Sequence, residues 1–167
     1  MTNKINPKTV LHLTRIHPDI KMRFFKIATE LYHWSQGTLT LKITDSLRSF
    51  EEQEMLYKKG RTGPGKRVTN AKAGESAHNY GLAFDVAFEG SDPYLESRID
   101  SKEIWLRYGS ICESNHMLWG GKFVTIDDNP HAEKTYGLTM RQLEEHYLEH
   151  GLASLWGRID DIILGYV

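Results

Sequence analysis

The sequence predicts an α+β fold, a small antiparallel sheet flanked by helices, and two patterns carry that reading. Pro18 and Asp19 open a helix whose Ile20, Phe24, Ile27 and Leu31 share one face. Between Gly81 and Phe88 the period changes to two: Leu82, Phe84, Val86 and Phe88 point one way, Ala83, Asp85 and Ala87 the other. Helices that precede strands, and strands then mixed with helices, fit an α+β arrangement. A chain of 167 residues is long enough to bury a core as one domain.

The remaining elements follow in order. Gly37 ends the first helix, and Leu39, Leu41 and Ile43 alternate with Thr40, Lys42 and Thr44 as a strand. Ser49 with Glu52 forms a capping box for a helix that stops near Gly60. Gly60 to Glu75 is a loop carrying Arg61, Lys66, Arg67 and Lys72. A third helix spans Asp100 to Met117, burying Ile104, Tyr108 and Ile111. Short strands are expected at Phe123–Ile126 and His131–Glu133, after a Trp119-Gly120-Gly121 turn. Thr139 and Gln142 cap a helix closed by Gly151, and an apolar helix from Leu155 to Leu164 finishes the chain.

Composition excludes several classes. Hydrophobic residues make up 40% and charged residues 26%, near the soluble globular average. A net charge of −1 argues against a general nucleic-acid binder. The single Cys112 excludes an internal disulfide and a cysteine-based zinc site, and reads as a small buried hydrophobe. No apolar run has the length of a membrane span, so no membrane insertion is expected. The segment from Met1 to Pro18 lacks a signal peptide's apolar stretch, so synthesis in a cytoplasm without a leader is expected.

Two clusters carry chemistry. In Ser76-Ala77-His78-Asn79-Tyr80-Gly81-Leu82-Ala83-Phe84-Asp85, Asp85 sits on the small-residue face of its strand and His78 precedes that strand in a loop. A metal or substrate pocket would need such space; a surface histidine and a salt-bridged edge aspartate is the plainer alternative. In Asp127-Asp128-Asn129-Pro130-His131, Pro130 biases Asn129 to extended geometry, so that His131 enters a strand with Asp128 close by. A histidine ligand beside a carboxylate base suits metal-assisted hydrolysis; an acidic turn followed by an ordinary histidine is the alternative. His146-Tyr147-Leu148-Glu149-His150 matches the inverted zincin pattern, but only 17 residues remain for the further acidic ligand that it requires. It reads as a chance match on an exposed helix.

Taken in order, Ser46-Leu47-Arg48-Ser49-Phe50-Glu51-Glu52-Gln53, the loop from Gly60 to Ala71, Ser-x-His-x-x-Gly-x-Ala-x-Asp, Trp-Gly-Gly and Asp-x-Pro-His resemble the hedgehog-like zinc peptidases of the D-Ala-D-Ala carboxypeptidase superfamily. Within it the chain looks most like the L-alanyl-D-glutamate endopeptidases, many of them phage endolysins. The resemblance covers about residues 15 to 138 of a single domain over 1–167, with 139–167 as a helical extension.

The resemblance implies one Zn2+ held by His78, Asp85 and His131, with the fourth position open to water. It implies Asp128 as general base and then acid, and Arg48 as holder of a substrate carbonyl or carboxylate and stabiliser of the oxyanion. Gln53 and Ser76 would line the cleft. The implied partner is a peptidoglycan stem peptide, cut by a monomer that a holin helps reach the cell wall. Arg61, Lys66, Arg67 and Lys72 would face that anionic peptide. The near alternative on the same fold is a D-Ala-D-Ala carboxypeptidase or dipeptidase. The alternative of another class is a zinc-bound recognition module without catalysis, against which Asp128 beside the third ligand argues.

Overall fold

A computed structural model describes residues 6–167. Residues 1–5, the start of the segment in which no leader was read, lie outside the described residues. The expected α+β class is what the structure has: a four-stranded antiparallel sheet in the order β1-β2-β4-β3, with helices packed around it. The strands are β1 (Leu41–Asp45), β2 (Ala83–Phe88), β3 (Leu118–Trp119) and β4 (His131–Glu133).

Among the described residues, five α-helices surround them. Helix α1 (Pro7–Leu13) was not expected from the sequence, being short and lacking a long apolar stripe. It starts where Asn6 caps Lys8 N and Pro7 supplies a preset φ. Its buried Thr9 hydroxyl accepts a hydrogen bond from Ile43 N, satisfying a donor on edge strand β1. Helix α2 (Pro18–Trp34) buries the expected stripe Ile20, Phe24, Ile27 and Leu31 against the sheet, where Phe24 meets Phe84 edge-on. The Ser49–Glu52 capping box opens α3 (Phe50–Lys58) as read from the sequence. Helix α4 (Ser101–Ser114) buries Ile104, Tyr108, Ile111 and Cys112.

The strand expected at Phe123–Ile126 is absent. The pairing partner of β4 is instead Leu118–Trp119, and the chain from Gly120 onward leaves the sheet through a 3-10 turn. Trp119 explains the switch: its indole is buried and donates Nε1–H to the Asn129 carbonyl, which commits this stretch to the core side of the sheet. Phe123–Ile126 then runs as an irregular segment.

Helix α5 (Met140–Leu164) is two helical pieces divided at Gly151, which has φ 78° and ψ 174°, close to where the sequence placed the break. Both pieces pack on the turn that precedes β2. Tyr147 contacts the rings of Phe50 and Tyr80, and Trp156 Nε1 donates to the Tyr80 carbonyl. One apolar core runs from Leu13 in α1 to Ile159 in α5. Among the described residues, no helix is long and apolar enough to cross a membrane.

The turn that α5 supports is a single 3-10 turn, Ala77–Tyr80, where the sequence suggested plain loop. Gly81 ends it with φ +67°, and a Cβ there would stand 2.8 Å from the Trp156 ring and 2.9 Å from the Arg15 carbonyl oxygen. Left-handed backbone costs an L-residue about 1–2 kcal/mol, and the contact with rigid backbone adds to it. Gly81→Ala is therefore expected to lower stability by about 2–3 kcal/mol in urea unfolding; a change under about 0.5 kcal/mol would mean the turn relaxes freely.

Candidate metal centre

The sheet register builds the site. Asp85 on β2 stands opposite His131 on β4 and opposite Asp45 on β1, so one row across three strands carries two carboxylates and an imidazole. His78 comes from the 3-10 turn just ahead of β2. His78, Asp85 and His131 each offer a ligand atom, and these atoms lie within 4.8 Å of one another. Among the described residues this is the one group of three or more such side chains close enough to hold a metal ion.

The contacts fix which atoms face inward. His78 Nδ1 lies 2.6 Å from the Ser46 carbonyl oxygen, which only accepts, so that nitrogen donates and Nε2 is turned to the centre. His131 Nε2 lies 2.9 Å from Glu133 Oε2 and donates to it, turning Nδ1 inward. His78 Nε2 is 3.1 Å from Asp85 Oδ1 and 3.2 Å from His131 Nδ1, and His131 Nδ1 is 3.0 Å from the same oxygen. Tetrahedral zinc with ligands at about 2.0–2.1 Å would separate them by roughly 3.3 Å. The two imidazoles and one carboxylate therefore fit a borderline divalent metal with little movement.

Electrostatics favour a cation there. Burial alone would raise the Asp85 carboxyl, yet His78 and His131 hold it well below the usual carboxylate range. Burial would lower His131, yet its hydrogen bonds to Asp85 and Glu133 push it up to about 10. The centre thus attracts positive charge, which a proton or a metal ion supplies.

A cleft of about 500 Å³ opens over this centre. Asp128 lines it, whereas its neighbour Asp127 is exposed and does not. Burial and the nearby Asp85 charge raise the Asp128 carboxyl above its ordinary value. The turn carrying it is held on three sides: Asp128 N donates to Gly120 O, Trp119 to Asn129 O, and the Tyr108 hydroxyl to Pro130 O. Gly120 permits the approach, since a Cβ there would meet Asp128 O at 2.5 Å and His131 Cβ at 2.9 Å.

Arg48 also lines the cleft, with its guanidinium held by Asp45 and Gln53 and one nitrogen 3.7 Å from Asp85 Oδ2. Backbone contacts bring it there: Arg48 N donates to His78 O, and Asn79 Nδ2 donates to Arg48 O. Ser76 lines the cleft and caps the turn through a hydrogen bond from His78 N.

Three sequence expectations change. Gln53 does not line the cleft: it is fully buried, accepting from Arg48 and donating Nε2–H to Ala71 O at 2.7 Å. Arg61 does not line the cleft: its guanidinium donates to Tyr57 O, Thr69 O and Asn70 Oδ1 and stacks 4.0 Å over the Tyr57 ring, so it braces the loop. Phe123, Thr125 and Ile126, expected in a strand, form one wall of the cleft. Of the His146/His150 pair on α5, His146 is half-buried and bonded to Ser154 while His150 is exposed, and neither is in the group that converges on the centre.

Asp45, Glu133 and Asn79 were not singled out from the sequence. Glu133 had a signal, falling two residues after His131 on the same strand face. Asp45 and Asn79 had none, since their partners are reached only through sheet pairing and the turn.

Comparison with known proteins agrees with the resemblance read from the sequence. A family described as D-alanyl-D-alanine carboxypeptidase matches residues 69–134, which contain His78, Asp85, Asp128 and His131. The chain is 41% identical over 97 residues to the peptidoglycan L-alanyl-D-glutamate endopeptidase CwlK of Bacillus subtilis (strain 168), a span of 54% of this chain and 58% of that protein. The chain thus spans somewhat over half the length of that curated relative. Among solved structures it is similar to the L-Ala D-Glu endopeptidase ChiX of Serratia marcescens, at 20% identity and a TM-score of 0.49, over 78% of this chain and 88% of that one.

Purified protein given zinc is expected to hold one ion per chain by elemental analysis, and His131→Ala to lose it. Glu133→Ala should weaken zinc binding about 10–100-fold, because the carboxylate that orients His131 is gone. Retention of the ion by His131→Ala, or its loss on His146→Ala, would relocate the site.

Proposed function

We propose that this chain is a zinc peptidase that hydrolyses the L-alanyl-D-glutamate bond of peptidoglycan stem peptides. The observation that carries the reading is one cleft in which His78, Asp85 and His131 converge, with Asp128 and Arg48 lining it as well. The 41% identity to an enzyme named for that reaction supports the choice of bond.

Zinc bound there would polarise the scissile carbonyl and acidify the attacking water. Asp128 takes the proton as the water oxygen bonds to the carbonyl carbon. Arg48 supplies positive charge beside the oxygen that becomes negative. Asp128 then returns its proton to the nitrogen of D-glutamate as the C–N bond breaks, leaving L-alanine as a new carboxylate. Phe123 and Ile126 on one wall and Val68 to Ala71 on another give the extended stem peptide a surface to lie on.

The finer reading is an endolysin: a single-domain monomer made in a host cytoplasm and admitted to the cell wall with a holin's help. Its support is the sequence resemblance. Expression in a Gram-negative host with and without a holin tests it, lysis being expected only with the holin; lysis without one would point to another route.

Digestion of purified muropeptides should release peptides with a new N-terminal D-glutamate, read by mass. Release of free D-alanine from pentapeptide, with the L-Ala–D-Glu bond intact, would favour the carboxypeptidase alternative. Asp128→Asn should keep zinc and lose about 10²–10⁴-fold in rate, while Asp127→Asn keeps most of it. The reverse pattern would assign the base to Asp127.

A further inference from the structure

We propose that Asp45 and Gln53 are positioning residues that clamp the Arg48 guanidinium in one pose, and that Gln53 couples this pose to the cleft wall at Ala71. The inference rests on the peptidase reading only for what Arg48 does to a substrate.

Donor and acceptor counts support the clamp. A guanidinium has five N–H groups. Arg48 Nε and one terminal nitrogen both donate to Asp45 Oδ2, and the other terminal nitrogen donates to Gln53 Oε1 at 2.7 Å. Three of the five are thereby used, and two remain for other acceptors. The nitrogen shared with Asp45 also stands 3.7 Å from Asp85 Oδ2, whereas Asp85 Oδ1 faces the two histidines. Arg48 thus helps decide which oxygen of Asp85 points at the metal centre.

Asp45 is fixed in turn. It sits at the end of β1 after a bulge, opposite Asp85, and its Oδ1 accepts from Ser46 N. Ser46 is itself fully buried, and its carbonyl holds His78. One short segment, 45–48, therefore sets a metal-facing histidine and the cation together.

Gln53 reaches in the other direction. Its side chain is fully buried, so neither end of its amide meets solvent. The oxygen takes Arg48 and the nitrogen takes Ala71 O, in a segment (Val68 to Ala71) that lines the cleft. Arg61 pins the same segment at Thr69 O and Asn70 Oδ1. Movement of that wall by a bound peptide would pull on Gln53 and so on Arg48, which links substrate seating to the placement of the cation.

The test uses zinc-loaded full-length protein with two readouts. Side-chain ¹⁵N spectra, with the Arg48 signal assigned by its loss in Arg48→Lys, should show slow guanidinium rotation in the wild type. Averaged signals are expected in Gln53→Met and Asp45→Asn, with zinc content unchanged. Cleavage of the stem peptide should fall about 10–100-fold in kcat for Gln53→Met, below the 10²–10³-fold typical of removing a stabilising donor outright. On an Arg48→Ala background the same substitution should cost less than about twofold, since the two residues act as one unit. Gln53→Glu keeps an acceptor for Arg48 but loses the donor to Ala71; it should keep slow rotation and kcat while KM rises.

Full additivity of Gln53→Met with Arg48→Ala would overturn the proposal, as would unchanged Arg48 rotation in both Gln53→Met and Asp45→Asn. Slow rotation released by those variants in a protein that cuts no stem peptide would support the clamp while removing the proposed function.

Discussion

Pairing of β2 with β4 in the register that sets Asp85 opposite His131 is the constraint on which the rest of the site depends. Side chains alternate along a strand, so a slip of β4 by one residue would put His131 on the opposite face of the sheet from Asp85. The register is protected by what lies on the other face. Phe84 and Val86 are fully buried there, Phe84 against Phe24 of α2, and Ala132 is fully buried between its polar neighbours His131 and Glu133. Apolar burial of one face of the sheet therefore fixes which face carries Asp85 and His131.

Around that row, each polar group is held by a second one. Ser46 O orients His78, Glu133 orients His131, and Arg48 takes the outer oxygen of Asp85. Leaving such buried groups unpaired would cost about 1–3 kcal/mol each, so the partners matter to folding as well as to chemistry. The C-terminal helices belong to the same support. Trp156 and Tyr147 press on the Ala77–Tyr80 turn, so a segment that looked peripheral in sequence holds the turn that presents His78.

Much of this is legible in the sequence. The 3.6-residue stripe of α2 and the two-residue alternation of β2 were strong periodic signals, and both elements formed where expected. Local pattern drew notice to Asp85, which interrupts the small-residue face of an apolar strand, and to His131, which follows a proline that sets extended geometry, but it left plainer alternatives open, and the resemblance to the zinc peptidases supplied the ligand set. What sequence pattern missed was decided by tertiary contact. Nothing local distinguishes a glutamine at a helix start that is exposed from one buried between an arginine and a carbonyl, so Gln53 was misplaced. Arg61 was misread likewise, because a cation in a glycine-rich loop looks free until its carbonyl acceptors are located. The strand expected at Phe123–Ile126 failed because the burial of Trp119 draws the pairing five residues earlier.

His78, Asp85 and His131 could hold a metal ion, and we propose that they form an open three-ligand centre. X-ray absorption of the zinc-loaded protein in solution tests it most directly. A four-coordinate shell of nitrogen and oxygen only is expected, at about 2.0–2.1 Å, with the scattering of two imidazoles. A sulfur neighbour, a single imidazole, or a shell unaltered by replacing Asp85 with alanine would contradict it.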